Sequence, residues 1–252
     1  MDRCWRDTEP AGGMIVFVPD AVRLDAAGCL CTPRRCNCLS KRRKTLVDIG
    51  LRAAQAGADA ASYLRLVSRA VAASEEAYAV VPDAFCNPAK TVEHYMRYAP
   101  AIRRRGAKAV LVLQSFYRDF DAYGELIHDA DVVALPARRH CDVSCSAHPR
   151  LCAERIERAL RWLGSTRVHL LGPAARVLKA LGPAALRQVH SLDTASYRRA
   201  PNMELKMRNG GRWNIPRGAE EEWLLAWLRQ AGVDEVLNLR GLVDQQRRDD
   251  FV

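Results

Sequence analysis

Val132-Val-Ala-Leu135, then Pro149-Arg-Leu-Cys-Ala-Glu-Arg-Ile-Glu-Arg-Ala-Leu-Arg-Trp-Leu163, then Val168-His-Leu-Leu171 decide the fold. The two flanking runs are short and rich in β-branched residues and Leu, as strands are. The middle stretch opens on a proline, which suits a first helical turn, and carries Leu151, Ile156, Leu160 and Leu163 as its apolar face. A strand, a helix and a second strand in that order imply a right-handed parallel crossover. The same alternation runs outward in both directions. Strands are expected at 14–18, 45–47, 78–81, 109–113, 189–192 and 235–239, and helices at 51–73, 88–105 and 219–231. Eight candidate strands in 252 residues point to an α/β fold, a (β/α)8 TIM-like barrel forming one domain over 1–252. A doubly wound open sheet is the runner-up. Two irregular stretches are expected to be a Cys-rich basic insertion at 20–44 and a basic loop at 198–218.

Composition narrows the function. There are 39 Lys+Arg against 29 Asp+Glu, a net charge of +10, which favours a polyanionic partner such as nucleic acid. No run approaches the roughly 18 apolar residues of a membrane helix. The start, Met1-Asp-Arg-Cys-Trp5, has no apolar stretch like that of a secretory signal. A cytoplasmic location is expected, with all nine cysteines reduced and no membrane partner. The phosphate-cradling patterns GxGxxG and GxxxxGK[ST] are missing, which argues against a nicotinamide dehydrogenase or a P-loop NTPase. There is no GxSxG nucleophile elbow either.

Chemistry in such a barrel sits at the C-terminal ends of the strands. Asp48 follows the run at 45–47, Asp83 that at 78–81, Gln114 that at 109–113 and Asp193 that at 189–192. His169 lies inside its strand and by itself reads as a core histidine. Any one of the carboxylates reads equally well as a helix N-cap. Three of them at equivalent points of different strands point to one pocket. Gathered carboxylates suit glycosyl chemistry, where one attacks an anomeric carbon and another moves protons. A glycoside hydrolase shares them but fits the basic charge and Gln114 less well.

The cysteines form two groups. Cys29, Cys31, Cys36 and Cys38 make a C-x-C-x4-C-x-C cluster, expected to hold a structural zinc ion or iron–sulfur cluster, with free thiols as the alternative. Cys141, Cys145 and Cys152, with His140 and His148 nearby, form a second candidate metal group, and Cys86 is a further candidate ligand.

Five segments, in order, carry a family resemblance: Leu46-Val-Asp-Ile-Gly50, Val81-Pro-Asp-Ala-Phe-Cys-Asn-Pro88, Leu113-Gln114, Val168-His-Leu-Leu-Gly172 and Val189-His-Ser-Leu-Asp-Thr-Ala-Ser-Tyr197. The set resembles the tRNA-guanine transglycosylase superfamily, above all the short phage and bacterial members that place 7-deazaguanine bases into DNA. The resemblance implies exchange of guanine for a free 7-deazaguanine base through a covalent intermediate on Asp193, in a bacterial or phage-infected cell. It implies Asp48 as the second catalytic carboxylate, and Asp83, Gln114, Phe85, Leu135 and His169 around the base. The reaction needs no cofactor for its chemistry. Arg198, Arg199, Lys206, Arg208 and Arg212 are the expected phosphate contacts, and Trp213 is a candidate for stacking on a base.

The departures set the alternatives. Ile49 stands where the family has Ser after the catalytic Asp, which leaves Asp20 open in place of Asp48. It also leaves open a non-catalytic, metal-stabilised nucleic-acid-binding barrel. The family's zinc motif after Asp193 and its archaeal RNA-binding domains are missing, so DNA is expected ahead of tRNA. A chain this short is also compatible with a protein partner that adds DNA contacts.

Overall fold

The computed structural model describes residues 14–19, 27–32, 43–49, 59–198, 203–216 and 218–237. Eight strands close into a barrel, each hydrogen-bonded to its neighbours in chain order, and every pair is parallel. They are β1 (Ile15–Val18), β2 (Ala27–Cys31), β3 (Lys44–Val47), β4 (Glu76–Val80), β5 (Lys108–Val112), β6 (Val132–Pro136), β7 (Val168–Leu171) and β8 (Val189–Asp193). The helices are α1 (Ala60–Ala73), α2 (Pro88–Arg103), α3 (Leu126–Asp129), α4 (Pro149–Leu163), α5 (Ala175–Leu186), α6 (Met203–Arg208), α7 (Glu220–Ala231) and α8 (Asp234–Leu237). This is the expected (β/α)8 TIM-like barrel.

Several expectations are corrected. The run at 235–239 is not a strand, because Asp234–Leu237 is helical. The missing strand is β2, inside the stretch read as a Cys-rich insertion at 20–44. Its sequence, Ala-Gly-Cys-Leu-Cys, has no β-branched residue, so its composition does not resemble a strand. What makes it one is burial, since all five residues are covered. Within the stretch read as a basic loop at 198–218, Met203–Arg208 forms α6.

Strand alternation sorts the core into two layers. Phe17, Leu30, Leu46, Tyr78, Val80, Val110, Val112, Val132 and Ala134 pack inside the barrel. Val133, Leu135, Leu111 and Leu170 pack outward with the helices. Helix α4 buries Cys152, Ile156, Ala159, Leu160 and Leu163. Each large side chain of that kind contributes about 1.5–3 kcal/mol by leaving water. Leu151, expected on that face, is exposed. Helix α7 buries Trp223, Leu224, Trp227 and Leu228 and ends at Gly232, whose φ of 69° is the left-handed cap that glycine adopts without strain.

The first residues of β3, β4 and β5 carry a charge cluster. Glu76 pairs with Lys108 and, at 3.6 Å, with Lys44. Burial alone would raise the Glu76 carboxyl, but hydrogen bonds from Lys108 and Tyr78 hold it below its ordinary value. Among the described residues, no helix is long and apolar enough to cross a membrane.

Candidate active site

Asp193 ends β8 with its side chain 13% exposed. Its Oδ1 accepts two hydrogen bonds, from the Gly172 amide at 2.8 Å and from His169 Nε2 at 3.1 Å. Among the described residues no hydrogen bond falls on Oδ2. The following turn is held by Thr194, whose hydroxyl accepts from the Ser196 amide. Asp193 is therefore not the N-cap that its sequence context allowed.

His169 is buried inside the barrel, 2.9 Å through Nδ1 from Ser191 Oγ. Ser191 Oγ is also 3.0 Å from His190 Nδ1. The register between β7 and β8 slips here: Val168 pairs with Val189, but His169 pairs with Ser191. The unmatched residue is His190, and the slip leaves His190, Ser191, His169 and Asp193 in one chain. Burial and nearby Arg167 push the His190 imidazole down to about 4, so it is neutral at neutral pH. With His190 Nδ1–H donating to Ser191, Ser191 to His169 Nδ1, and His169 Nε2–H to Asp193, every link has one donor and one acceptor. The sequence reading missed this relay. Its available signal was the two-residue spacing of Ser191 and Asp193, which puts both on one strand face.

Asp83 and Gln114 follow β4 and β5. Gln114 Nε2 donates to Asp83 Oδ2, and the Gln114 backbone carbonyl accepts from Tyr123 Oη at 2.6 Å. Burial pushes the Asp83 carboxyl up, against the downward pull of the Gln114 hydrogen bond. Asp83 is not a helix cap: Asn87 caps α2 by accepting from the Lys90 amide at 3.0 Å. Asp48 follows β3, half-buried, its amide donating to Cys31 at 2.9 Å. It thus stands at the same end of the barrel as Asp83, Gln114 and Asp193. Asp20 lies outside the described residues.

The other expected positions divide. Phe85 is half-buried, with the Arg139 guanidinium 5.4 Å above its ring. Leu135 is buried in the outer core layer with its side chain against the helices. Lys206 lies 4.2 Å over the ring of Trp213, which is half-exposed. Arg208 pairs with Glu222 at 2.7 Å. Arg198 closes the short 3-10 turn Ser196–Arg198, Arg212 is exposed, and Arg199 lies outside the described residues.

The cysteines depart most from expectation. Cys29 and Cys31 are buried in β2 and disulfide-bonded, so they are not thiolate ligands of a metal. Cys36 and Cys38 lie outside the described residues. Cys86 and Cys141 form a disulfide, with Cα atoms 5.5 Å apart, that ties the loop after β4 to the loop after β6. Cys141 thus leaves the second group, and the nine thiols are not all reduced. What remains, Cys145 and Cys152, gathers with His140, all three buried and their ligand atoms within 4.8 Å of one another. These three could hold a metal ion. His148 is not among them. Beside them Tyr117 stacks on His140 at 4.9 Å, and Arg155 holds Asp142 through two bonds of 2.8 Å.

Compared with known proteins, the chain matches no family model and no curated sequence.

Proposed function

We propose that the chain is a transglycosylase that exchanges guanine for a 7-deazaguanine base in DNA. The observation that carries this reading is Asp193, whose Oδ1 is fixed by His169 and Gly172 while Oδ2 keeps its lone pairs. A carboxylate held by one oxygen is aimed by the other, as a nucleophile must be. Asp193 Oδ2 bonds to C1′ of the target nucleotide as the C1′–N9 bond to guanine breaks. Asp48 gives the departing guanine its proton. The incoming base loses its own proton to Asp48, attacks C1′ and releases Asp193.

Asp83 and Gln114 read the base edge. A purine N–H and an amino group fit the Asp83 carboxylate, which is already desolvated, so a base lacking those donors leaves it with the Gln114 hydrogen bond alone. The target C1′ is unreachable in a stacked duplex, so the nucleotide is flipped out or single-stranded. Arg139, Lys206 and Arg212 would hold phosphates, in keeping with the +10 charge. On this reading the enzyme acts on the DNA of a bacterial or phage-infected cell.

The test is base exchange. The purified chain is given duplex DNA, single-stranded DNA or tRNA with a labelled 7-deazaguanine, and the products are digested to nucleosides. Label in DNA, lost in Asp193→Ala, supports the reading. Label in tRNA alone would reassign the substrate. DNA binding without exchange, unchanged in Asp193→Ala, would favour a non-catalytic binding barrel.

A further inference from the structure

We propose that His140, Cys145 and Cys152 bind one zinc ion, which locks the loop between β6 and α4 to the first turn of α4. The site is independent of the reaction proposed above. Its three donors come from two neighbouring elements. His140 and Cys145 flank a tight hairpin, closed by the His140 amide on Val143 at 3.0 Å and the Cys145 amide on Arg138 at 3.2 Å. Cys152 sits in the first turn of α4, its amide on His148 at 3.2 Å.

The imidazole is arranged as a ligand. His140 Nε2 faces the Pro136 carbonyl at 3.1 Å, so Nε2 carries the proton and the Nδ1 lone pair points to the sulfurs. A ring nitrogen pinned by a backbone carbonyl, with the other ring nitrogen turned to the ligand sulfurs, is the usual support of a metal-bound histidine.

The distances fit zinc. Tetrahedral zinc, with bonds of about 2.3 Å to sulfur and 2.0–2.1 Å to nitrogen, sets a nitrogen–sulfur separation of about 3.6 Å and a sulfur–sulfur separation of about 3.8 Å. His140 Nδ1 and Cys152 Sγ are 3.5 Å apart. All three atoms lie within 4.8 Å, so Cys145 needs only a small side-chain adjustment. A mixed nitrogen and sulfur set favours zinc, whereas an iron–sulfur cluster generally takes four cysteines.

The charges balance. Binding converts two thiols to thiolates and releases two protons, so the zinc and its two sulfurs are together neutral. Arg155 Nη1, now 3.3 Å from His140 Nδ1, turns to donate to the thiolates while keeping its bonds to Asp142. The fourth position falls to water.

The test begins with the full chain purified without chelator. Metal analysis is expected to give one zinc per chain at this site. X-ray absorption on the wild-type protein is expected to show two sulfurs at about 2.3 Å and lighter atoms at about 2.0 Å. Cobalt substitution is expected to give a thiolate-to-cobalt charge-transfer band, lost in Cys145→Ser and His140→Ala and kept in Cys36→Ser. Cys152→His, which preserves a donor, should retain the metal with one sulfur fewer. Absence of zinc together with absence of the cobalt band overturns the proposal. So does a four-sulfur shell in the wild type, or zinc that survives both His140→Ala and Cys145→Ser. The absorption measurement needs no variant, so a variant that fails to fold does not protect the proposal.

Discussion

Replacing Gly28 with alanine tests the barrel where its sequence was least legible. A Cβ on Gly28 would lie 2.5 and 2.6 Å from two ring carbons of Phe17 and 3.0 Å from the backbone carbonyl of Lys44. The carbonyl belongs to β3 and cannot move alone. The Phe17 ring cannot simply retreat, because Tyr78 and His169 stand around it with ring centres at 5.9 and 6.0 Å. Overpacking of this kind costs about 1–3 kcal/mol, and blocked retreat places Gly28→Ala in the upper half of that range. Removing a glycine stiffens the unfolded chain and returns about 0.4–1 kcal/mol. The net loss is about 2 kcal/mol, or about 4–8 °C in melting temperature for a domain of this size. Urea unfolding should show a lower midpoint with an unchanged slope. Phe17→Leu in the same chain should restore part of the loss, a coupling of about 1 kcal/mol between contacting residues. A Gly28→Ala protein that melts with the wild type would refute the placement of β2, as would full additivity of the two changes.

Other outcomes follow from the rim. Burial raises the Asp83 carboxyl, so its charge is a penalty on folding that is present above its folded pKa and absent below the ordinary range near about 4. Asp83→Asn should therefore be more stable than the wild type at neutral pH, with the gain vanishing in acid, and on the proposed function it should lose base exchange; equal stability at pH 7 contradicts the burial argument. The Cys86–Cys141 bond closes a loop of 55 residues, worth about 4 kcal/mol in the chain-entropy relation. Cys86→Ser should lower the melting temperature, and reductant should then cost the variant less than it costs the wild type. An equal response to reductant would mean that this bridge does not contribute.

The strands that sequence reading located are those whose own residues declare them. Val110, Leu111 and Val112 are strand formers wherever they occur, and each is fully buried. β2 does not declare itself: Ala27, Gly28 and Cys29 become a strand only because Phe17 on one side and β3 on the other need a flat, small neighbour. The carboxylates were legible for a related reason. Asp48, Asp83 and Asp193 each break an apolar run, and in a parallel barrel such breaks all fall at the same end. His169 was ambiguous because its meaning rests on Asp193, 24 residues away. The cysteines were grouped by spacing, but spacing does not say that Cys141 turns to Cys86 while Cys145 and Cys152 turn to His140.

The seam between β1 and β8 has a consequence for the order of events in the cell. Ile15, Val16 and Phe17 pair with Ser191, Leu192 and Asp193, so the first strand waits unpaired on that edge until the eighth has left the ribosome. The arrival of β8 that ends this wait also sets Asp193 against His169 of β7 and brings the Thr194 amide onto the Phe17 carbonyl. A nascent or truncated chain lacking β8 therefore exposes a sticky strand edge and carries no aimed carboxylate. On the proposed reading, competence to react and resistance to aggregation arrive in the same step of synthesis.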